Sequence, residues 1–243
     1  MKLSRFAVYA WAALVYNIGV IVWGAYVRAT GAGAGCGAHW PLCNGVVIPR
    51  DAAIETMIEF SHRVTSGIAL ISALILVIWA FRAYPQHHMV RRAAIFSLVF
   101  MITEALLGAG LVLFELVAHN TSLARVISMA AHLVNTFLLL ASMTLTAWWA
   151  SGGEAFRFAR QGFLSTGVII AIIGTFIISI TGAVIAFGDT LFYAHIDAGG
   201  SEESIVPLVA AITEIRIIHP FVAVLVSIFL LVLAWQALSL IHI

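Results

Sequence analysis

The chain has 243 residues, of which 63% are hydrophobic and 9% are charged, and its net charge is +1. This composition excludes an ordinary soluble globular domain, in which about a quarter of the residues are charged. It predicts a protein of the membrane, and the small net charge gives no indication of a nucleic-acid partner.

Six apolar runs follow one another along the chain, at residues 6–27, 58–80, 93–114, 123–149, 163–187 and 213–241. Each is long enough to cross the hydrocarbon core of a bilayer as an α-helix. The sequence therefore predicts an all-α integral membrane protein with six transmembrane helices. Because the first run is about twice as long as the apolar core of a signal peptide, a retained helix is favoured over a cleaved one.

Basic residues occur in alternate connections, which predicts that these connections and both termini face the cytoplasm. They are Lys2, Arg5, Arg82, Arg91, Arg92, Arg157 and Arg160. The first and third outer connections, 28–57 and 188–212, are then the long ones. Long ordered loops carry function more often than short connectors do, so we expect the functional site toward the outer face.

The first outer connection contains the stretch GAGAGCGAHWPLCNG and, within it, the two cysteines of the chain, Cys36 and Cys43. An even number of cysteines on an oxidising side predicts a disulfide by default. Two roles stay open for the pair. It is either a staple for the loop or a redox pair that exchanges with an outside thiol carrier.

Three histidines lie within apolar runs at similar depth, toward the outer side: His62, His132 and His219. An ionisable group in a membrane helix costs free energy unless it is paired or functional. Neutral imidazole is a natural axial ligand of haem iron, and two histidines of a helix bundle can hold one porphyrin between them. His62 and His132 are the candidate pair. The alternative is that each bonds a main-chain carbonyl on a neighbouring helix.

Charged residues accompany these histidines. Glu59 precedes His62 by three residues and shares its helix face, which suits a proton carrier beside an iron centre. Pairing of Glu59 with Arg63 or Arg28 is the alternative. Four arginines lie at outer helix ends, where guanidinium groups could hold haem propionates or act as interfacial anchors: Arg28, Arg63, Arg125 and Arg216. Glu104, near the middle of the third run, must be neutral or paired.

A Gly-Ala pair at 24–25 recurs at 182–183, and the distances from these glycines to His62 and His219 are 38 and 37 residues. The matched spacing suggests that the fifth and sixth helices repeat the first and second, with chance alignment as the alternative. The predicted architecture is a four-helix bundle (1–150) followed by half of a repeated second bundle (151–243). Either a truncated chain or a natural six-helix protein would have this form.

The segments TGAGAGCGAHWPLCNG and EFSHRVTSG resemble the haem A synthase family, which shares a TGxGxGCxxWPxC loop and an ExxHR helix start. The resemblance implies a protein of two four-helix bundles, so the last two helices would be absent here. It also implies an oxidoreductase that oxidises a methyl group of haem O to the formyl group of haem A for terminal oxidases. Cys36 and Cys43 match the family's outer cysteine pair.

The same resemblance implies roles for individual residues. Glu59 would be the essential acid, and His62 and His132 the axial iron ligands of the substrate haem. His219 would bind a second haem, haem b, whose other ligand would lie beyond this chain. Haem O would come from haem O synthase, and the electron donor is unknown. The implied location is the bacterial cytoplasmic (inner) membrane, as a multi-pass protein surrounded by lipid, with a homo-oligomer left open and no nucleic-acid partner.

Two other functions stay open. One is a bis-histidine membrane cytochrome for quinol electron transfer, which needs no acid on the face of its histidine ligand. The other is a membrane thiol–disulfide oxidoreductase, which generally needs two interacting cysteine pairs, whereas this chain has two cysteines in all.

Overall fold

The computed structural model describes residues 3–50, 52–118, 120, 122–154, 162–197 and 206–241. Its helices, in chain order, are α1 (Arg5–Ala29), α2 (Ile54–Ala83), α3 (Met89–Leu113), α4 (Leu123–Ala150), α5 (Phe163–Asp197) and α6 (Val206–Ile241). All six are long and apolar enough to cross a membrane. The prediction of an all-α, multi-pass membrane protein is confirmed.

The cytoplasmic placement of the termini stays a prediction. Three of the basic residues on which it rests lie outside the described part of the chain: Lys2, Arg157 and Arg160. The prediction of a long third outer loop at 188–212 is wrong, because α5 continues to Asp197 and α6 begins at Val206. Polar residues end an apolar run without ending a helix, since main-chain hydrogen bonds persist outside the hydrocarbon core.

Helix ends in the first part of the chain follow local capping chemistry. The Ser4 hydroxyl accepts a hydrogen bond from the Ala7 N–H at 3.1 Å, and the Ser122 hydroxyl accepts one from the Arg125 N–H at 3.3 Å. These side chains satisfy main-chain donors that the first turn of a helix leaves unpaired. At the other end of α2, Pro85 follows directly after the capping residue Tyr84, and its missing N–H cannot make the next helical hydrogen bond.

Helices α1 to α4 belong to one compact unit, Met1–Ala155. Helix α1 packs against α2 and α4, and α3 packs against the same two helices. The four helices therefore form a closed bundle in which α2 and α4 lie on a diagonal. Residues that project inward from α2 and α4 at one level face each other across the axis of this bundle.

Two clusters of buried apolar side chains fill the middle of the bundle and the end where α1 begins. Along α1 they run from Phe6 to Val20, and on α2 they begin at Ala69. On α4 they begin at Leu139. His62 and His132 each lie seven residues, about two turns, before the first clustered residue of their own helix. The histidine level is thus beyond the apolar core, toward the end of the bundle that carries the first loop.

Helices α5 and α6 pack against each other in a second unit, Phe156–Ile243. Glycines of α5 allow close contact, because a Cβ atom at Gly167 would lie 2.6 Å from Leu233, and one at Gly174 would lie 3.1 Å from Val226. Helix α6 continues through Pro220, whose missing N–H removes one main-chain hydrogen bond directly after His219.

Candidate functional site

The first outer loop lies directly on the first turns of α2. At Gly35 an added Cβ atom would come within 2.6 Å of the main chain of Glu55 and Thr56, so only glycine fits there. The Gly35 carbonyl accepts hydrogen bonds from the Thr56 hydroxyl at 2.7 Å and from the Asn44 side-chain amide at 3.1 Å. The glycine-rich sequence therefore permits an approach of main chain to main chain that a side chain would prevent.

Cys36 and Cys43 form a disulfide, as expected, and both residues are buried. The Asn44 N–H donates to the Cys36 carbonyl at 2.9 Å, and Cys43 pairs with Val46 in the isolated β-bridge. Trp40 and Pro41, between the cysteines, are joined by a cis peptide bond. The segment between the two sulfurs is thus a compact loop that covers the start of α2.

Glu59 is 3% exposed, and its carboxylate is occupied by the loop and by Arg63. The Cys36 N–H donates to Glu59 Oε2 at 2.8 Å. Arg63 donates to Glu59 Oε1 through Nε at 3.0 Å and also through Nη2. Three N–H donors therefore hold this buried carboxylate in one position.

The guanidinium of Arg63 also binds the loop itself. Its Nη1 donates to the carbonyls of His39 at 2.5 Å and Leu42 at 2.6 Å, and both of these residues lie between the two cysteines. One arginine on α2 therefore holds the acid and the disulfide loop together. Most of its donors are used in this way, which leaves Arg63 poorly suited to bind a second anion.

His62, one turn beyond Glu59 on α2, lies against Gly24 of α1. A Cβ atom at Gly24 would come within 2.9 Å of His62 Cε1 and 3.1 Å of Nε2. The Nδ1 atom of His62 is buried and has no hydrogen-bond partner. Buried polar atoms are nearly always paired, so an unpaired ring nitrogen points to a role other than packing.

His132, on α4, is bound by Glu104 of α3. Glu104 Oε1 lies 2.9 Å from His132 Nδ1, and the carboxylate also contacts the side chains of Asn135 and Thr136. Gly108 of α3 lies beside the same ring, and a Cβ atom there would be 3.6 Å from His132 Nε2. Each imidazole of the pair therefore packs against a glycine on an adjacent helix.

The structure brings His62 and His132 to one level of the bundle. They lie 8 and 9 residues after the first residues of α2 and α4, about 12–14 Å along each helix. The two helices are diagonal partners, and the two rings are close enough to interact electrostatically. Glu59 lies about one turn nearer the disulfide loop.

Two other arginines lie at the same end of the bundle. Arg125 is close enough to Arg28 for their charges to interact, and its Nε is buried without a hydrogen-bond partner. Its Nη1 donates to the Asn120 carbonyl at 2.7 Å. In the described residues, no carboxylate lies within ion-pair distance of either guanidinium. Two neighbouring cations without an acidic partner are suited to bind an anionic group.

His219 has an equivalent setting in the second unit. Gly182 of α5 lies against its ring, with a Cβ-to-Cε1 distance of 3.3 Å, and the Thr181 hydroxyl is 2.8 Å from its Nδ1. The Gly24–His62 relationship of α1 and α2 thus recurs between α5 and α6. This contact gives the matched spacing seen in the sequence a structural basis.

A sequence model of the COX15-CtaA family, described as cytochrome oxidase assembly protein, matches residues 7–242. The chain belongs to this family. The match covers both units and all the histidines, the acid and the cysteines described above.

Individual relatives carry two different names. A Thermus thermophilus protein named Protoheme IX farnesyltransferase is 47% identical over 226 residues, which are 93% of this chain and 37% of that protein. The Heme A synthase of Geobacillus kaustophilus is 38% identical over 165 residues, 65% of this chain and 51% of that protein. The Heme A synthase of Halalkalibacterium halodurans is 48% identical over 95 residues, 39% of this chain and 32% of that protein. The chain thus spans about a third to a half of the length of these relatives.

The sequence places Glu104 within an apolar run but does not identify its hydrogen-bond partners. Asn135 and Thr136 lie three and four residues after His132, so they share its helix face. That spacing, together with an acid in the preceding run, was the available signal for a polar network. Only the pairing of α3 with α4 shows that the network includes the histidine.

Proposed function

We propose that this protein binds haem O between His62 and His132 and oxidises one of its methyl groups to the formyl group of haem A. The observation that carries the proposal is the pair of imidazoles at one level on diagonal helices. Both lie beyond the apolar core, and each packs against a glycine. Relatives named Heme A synthase support the reaction.

The donor set fits a haem. Two imidazoles are a standard axial pair, and the glycines at 24 and 108 let the two rings pack close to α1 and α3. The unpaired His62 Nδ1 indicates that this ring is not held by a structural hydrogen bond. In the described residues, no three His, Cys, Asp or Glu side chains converge on one point. A bound haem would supply an iron centre for electron transfer.

The remaining residues orient the substrate and handle protons. Arg28 and Arg125 are placed to hold the propionates by charge-assisted hydrogen bonds. With water as the source of the oxygen atom, oxidation of a methyl to a formyl group releases four protons and four electrons, and an electron acceptor must take up the electrons. We assign proton transfer to the Glu59 carboxylate, which lies on the His62 face of α2. Arg63 and the Cys36 N–H hold that carboxylate in place, and the loop above it excludes water.

We propose that His219 would hold a second haem, haem b, which would supply a centre for electron transfer. Its Nδ1 is bonded to the Thr181 hydroxyl, which leaves Nε2 as the ligand atom. The second unit would then act in electron transfer, and the first unit would carry the methyl oxidation. We place the protein in a bacterial cytoplasmic membrane, where haem O is supplied by haem O synthase.

A thiol–disulfide oxidoreductase is disfavoured by the cysteines themselves. Cys36 is 0% and Cys43 is 1% exposed, so neither sulfur is accessible to an outside thiol. A simple bis-histidine electron carrier would not need the Glu59–Arg63 arrangement one turn from a ligand. Neither alternative accounts for the two imidazoles together with the Glu59–Arg63 pair.

The farnesyltransferase name of the Thermus relative raises a second candidate, prenyl transfer to protohaem. The match leaves well over half of that relative outside the aligned region. We propose that prenyl transfer belongs to the unmatched part and that this chain corresponds to the part that oxidises the product. Purified chain given protohaem and farnesyl diphosphate should form no haem O. Formation of haem O would overturn this assignment.

The reaction is tested by extraction and mass analysis of the haem from purified protein. The expected pigments are haem O and its hydroxylated or formyl forms, with a bis-histidine absorption spectrum. His62→Ala and His132→Ala should each abolish that spectrum, and the matched control His88→Ala, at the start of α3, should retain it. Absence of haem after expression with ample haem supply would overturn the proposed function.

A further inference from the structure

Glu104 of α3 binds three side chains of α4 at once. Its Oε1 contacts His132 Nδ1 at 2.9 Å and the Thr136 hydroxyl, and its Oε2 contacts Asn135 Nδ2 at 2.5 Å. Neither the carboxylate nor the two polar residues beside it is used in the mechanism described above. The network is partly buried, and polar groups with little access to water cost free energy unless they are hydrogen-bonded.

The direction of these hydrogen bonds follows from Asn135. Its amide nitrogen donates to the Phe100 carbonyl at 2.9 Å and to Glu104 Oε2, so both of its N–H groups are used. Glu104 therefore acts as an acceptor at Oε2. The Thr136 hydroxyl donates to Oε1, so this oxygen is an acceptor as well. Its contact with His132 is then a hydrogen bond donated by Nδ1, and a neutral imidazole has only this one N–H.

This tautomer leaves the lone pair of His132 on Nε2, the atom nearest Gly108. Carboxylate-to-histidine hydrogen bonds at metal sites fix the ring orientation and raise the basicity of the ligand. Glu104, which touches the far side of the ring from the ligand atom, would act on a bound iron only through His132.

The three histidines differ in the hydrogen-bond partner of their Nδ1 atom. His132 Nδ1 has a carboxylate partner, His219 Nδ1 has the Thr181 hydroxyl, and His62 Nδ1 is buried with no partner at all. A carboxylate increases the electron donation of an imidazole more than a hydroxyl does, because it is a charged acceptor. The proposed axial pair of the first unit is therefore chemically unequal.

We propose that Glu104 is a positioning residue that fixes the Nδ1-protonated tautomer of His132, so that His132 is the firmly bound axial ligand and His62 the exchangeable one. This inference rests on the proposed function, in that both histidines bind the iron of the substrate haem. An exchangeable His62 would let haem enter and product leave while His132 holds the group.

The first experiment compares haem-loaded wild type with Glu104→Gln and Glu104→Leu. Gln keeps a neutral acceptor for Nδ1, whereas Leu removes the acceptor. We expect transfer of haem to apomyoglobin to be about 10-fold faster in Glu104→Gln and up to about 100-fold faster in Glu104→Leu. The midpoint potential should rise in the same order, because a less basic ligand stabilises ferric iron less. Glu55→Gln, an exposed acid at the start of α2, is the matched control and should behave as wild type.

A second comparison tests the inequality of the ligands. His62→Ala should retain haem in a form that binds carbon monoxide faster than wild type, whereas His132→Ala should lose haem. Equal loss from both variants would overturn the assignment of His62 as the exchangeable ligand. Unchanged haem transfer and potential in both Glu104 variants, with haem still lost in His132→Ala, would overturn the role of Glu104 while leaving the proposed function intact.

A third measurement does not depend on haem or on the folding of a Glu104 variant. The chain is labelled with ¹⁵N-histidine, and the His132 signals are assigned by their loss in His132→Gln. Haem-free wild type should show a proton on His132 Nδ1 and none on Nε2. The opposite tautomer would overturn the inference. If wild type binds no haem but shows the expected tautomer, the proposed function fails on its own.

Discussion

The main-chain N–H of Cys36 donates a hydrogen bond to Glu59 Oε2 at 2.8 Å, so the disulfide loop is bound directly to the proposed proton carrier. Arg63 completes the connection by binding Glu59 Oε1 and two carbonyls of the loop. Cys36 and Glu59, which are 23 residues apart in the sequence, thus belong to one structural element.

The Glu59–Arg63 pair should behave as a coupled unit. Arg63→Met leaves a buried carboxylate without its cation, which costs about 3–5 kcal/mol and should lower the apparent Tm in detergent by on the order of 10 °C. Glu59→Gln combined with Arg63→Met removes both charges and should recover much of that loss. A double-mutant cycle of thermal unfolding measures the coupling. Additive effects of the two substitutions would show that the two charges are not coupled.

Glu59→Gln alone separates the structural role of Glu59 in binding the loop from its proposed role in proton transfer. An amide oxygen still accepts from the Cys36 N–H, so haem content should stay near that of wild type. An amide cannot accept a proton at neutral pH, so conversion of haem O should fall by at least about 100-fold, the usual contribution of a general base. The measurement is the ratio of haem O to haem A in extracts of equal haem content. Wild-type conversion in this variant would remove Glu59 from the mechanism.

The contact between Gly35 and α2 predicts that one added methyl group at this position will displace the loop. Gly35→Ala would place Cβ 2.6 Å from the main chain at Glu55 and Thr56, where no side-chain rotation can relieve the clash. The loop must therefore move away, which should expose it to protease and weaken the Cys36–Glu59 hydrogen bond. Gly33→Ala is the matched control in the same loop, because its Cβ would meet Val117 at an ordinary 3.6 Å. Equal protease sensitivity in the two variants would contradict this packing.

The sequence predicted the helices well because the bilayer imposes a length and a composition on each of them. It also located His62, His132 and Glu59, since ionisable residues are conspicuous in apolar runs. It predicted the extent of the helices less well, as the continuation of α5 to Asp197 shows. Outside the hydrocarbon core, helix ends depend on packing and caps more than on hydrophobicity.

What the sequence could not supply was the choice of partner for each polar group. Glu59 had two candidate arginines, Arg28 and Arg63, and only the packing of the loop selects Arg63. The assignment of Arg63 to haem propionates stays a prediction, although its donors are largely occupied by Glu59 and the loop. Arg125, with its unpaired Nε next to Arg28, is better placed for that role, because the bundle brings the ends of α1 and α4 together.

The approach of His62 to Gly24 gives the last prediction. Gly24→Ala would place Cβ 2.9 Å from Cε1 and 3.1 Å from Nε2 of His62, so the ring must turn away. Helix stability should not suffer, since alanine favours a helix over glycine by up to about 1 kcal/mol. We therefore expect Gly24→Ala to fold normally but to lose the bis-histidine spectrum or shift it to a partly high-spin form. Gly19→Ala, one to two turns earlier in α1 with nothing within 4 Å of its Cβ, is the matched control and should keep the wild-type spectrum. An unchanged spectrum in Gly24→Ala would mean that the position of His62 against α1 has no bearing on haem binding.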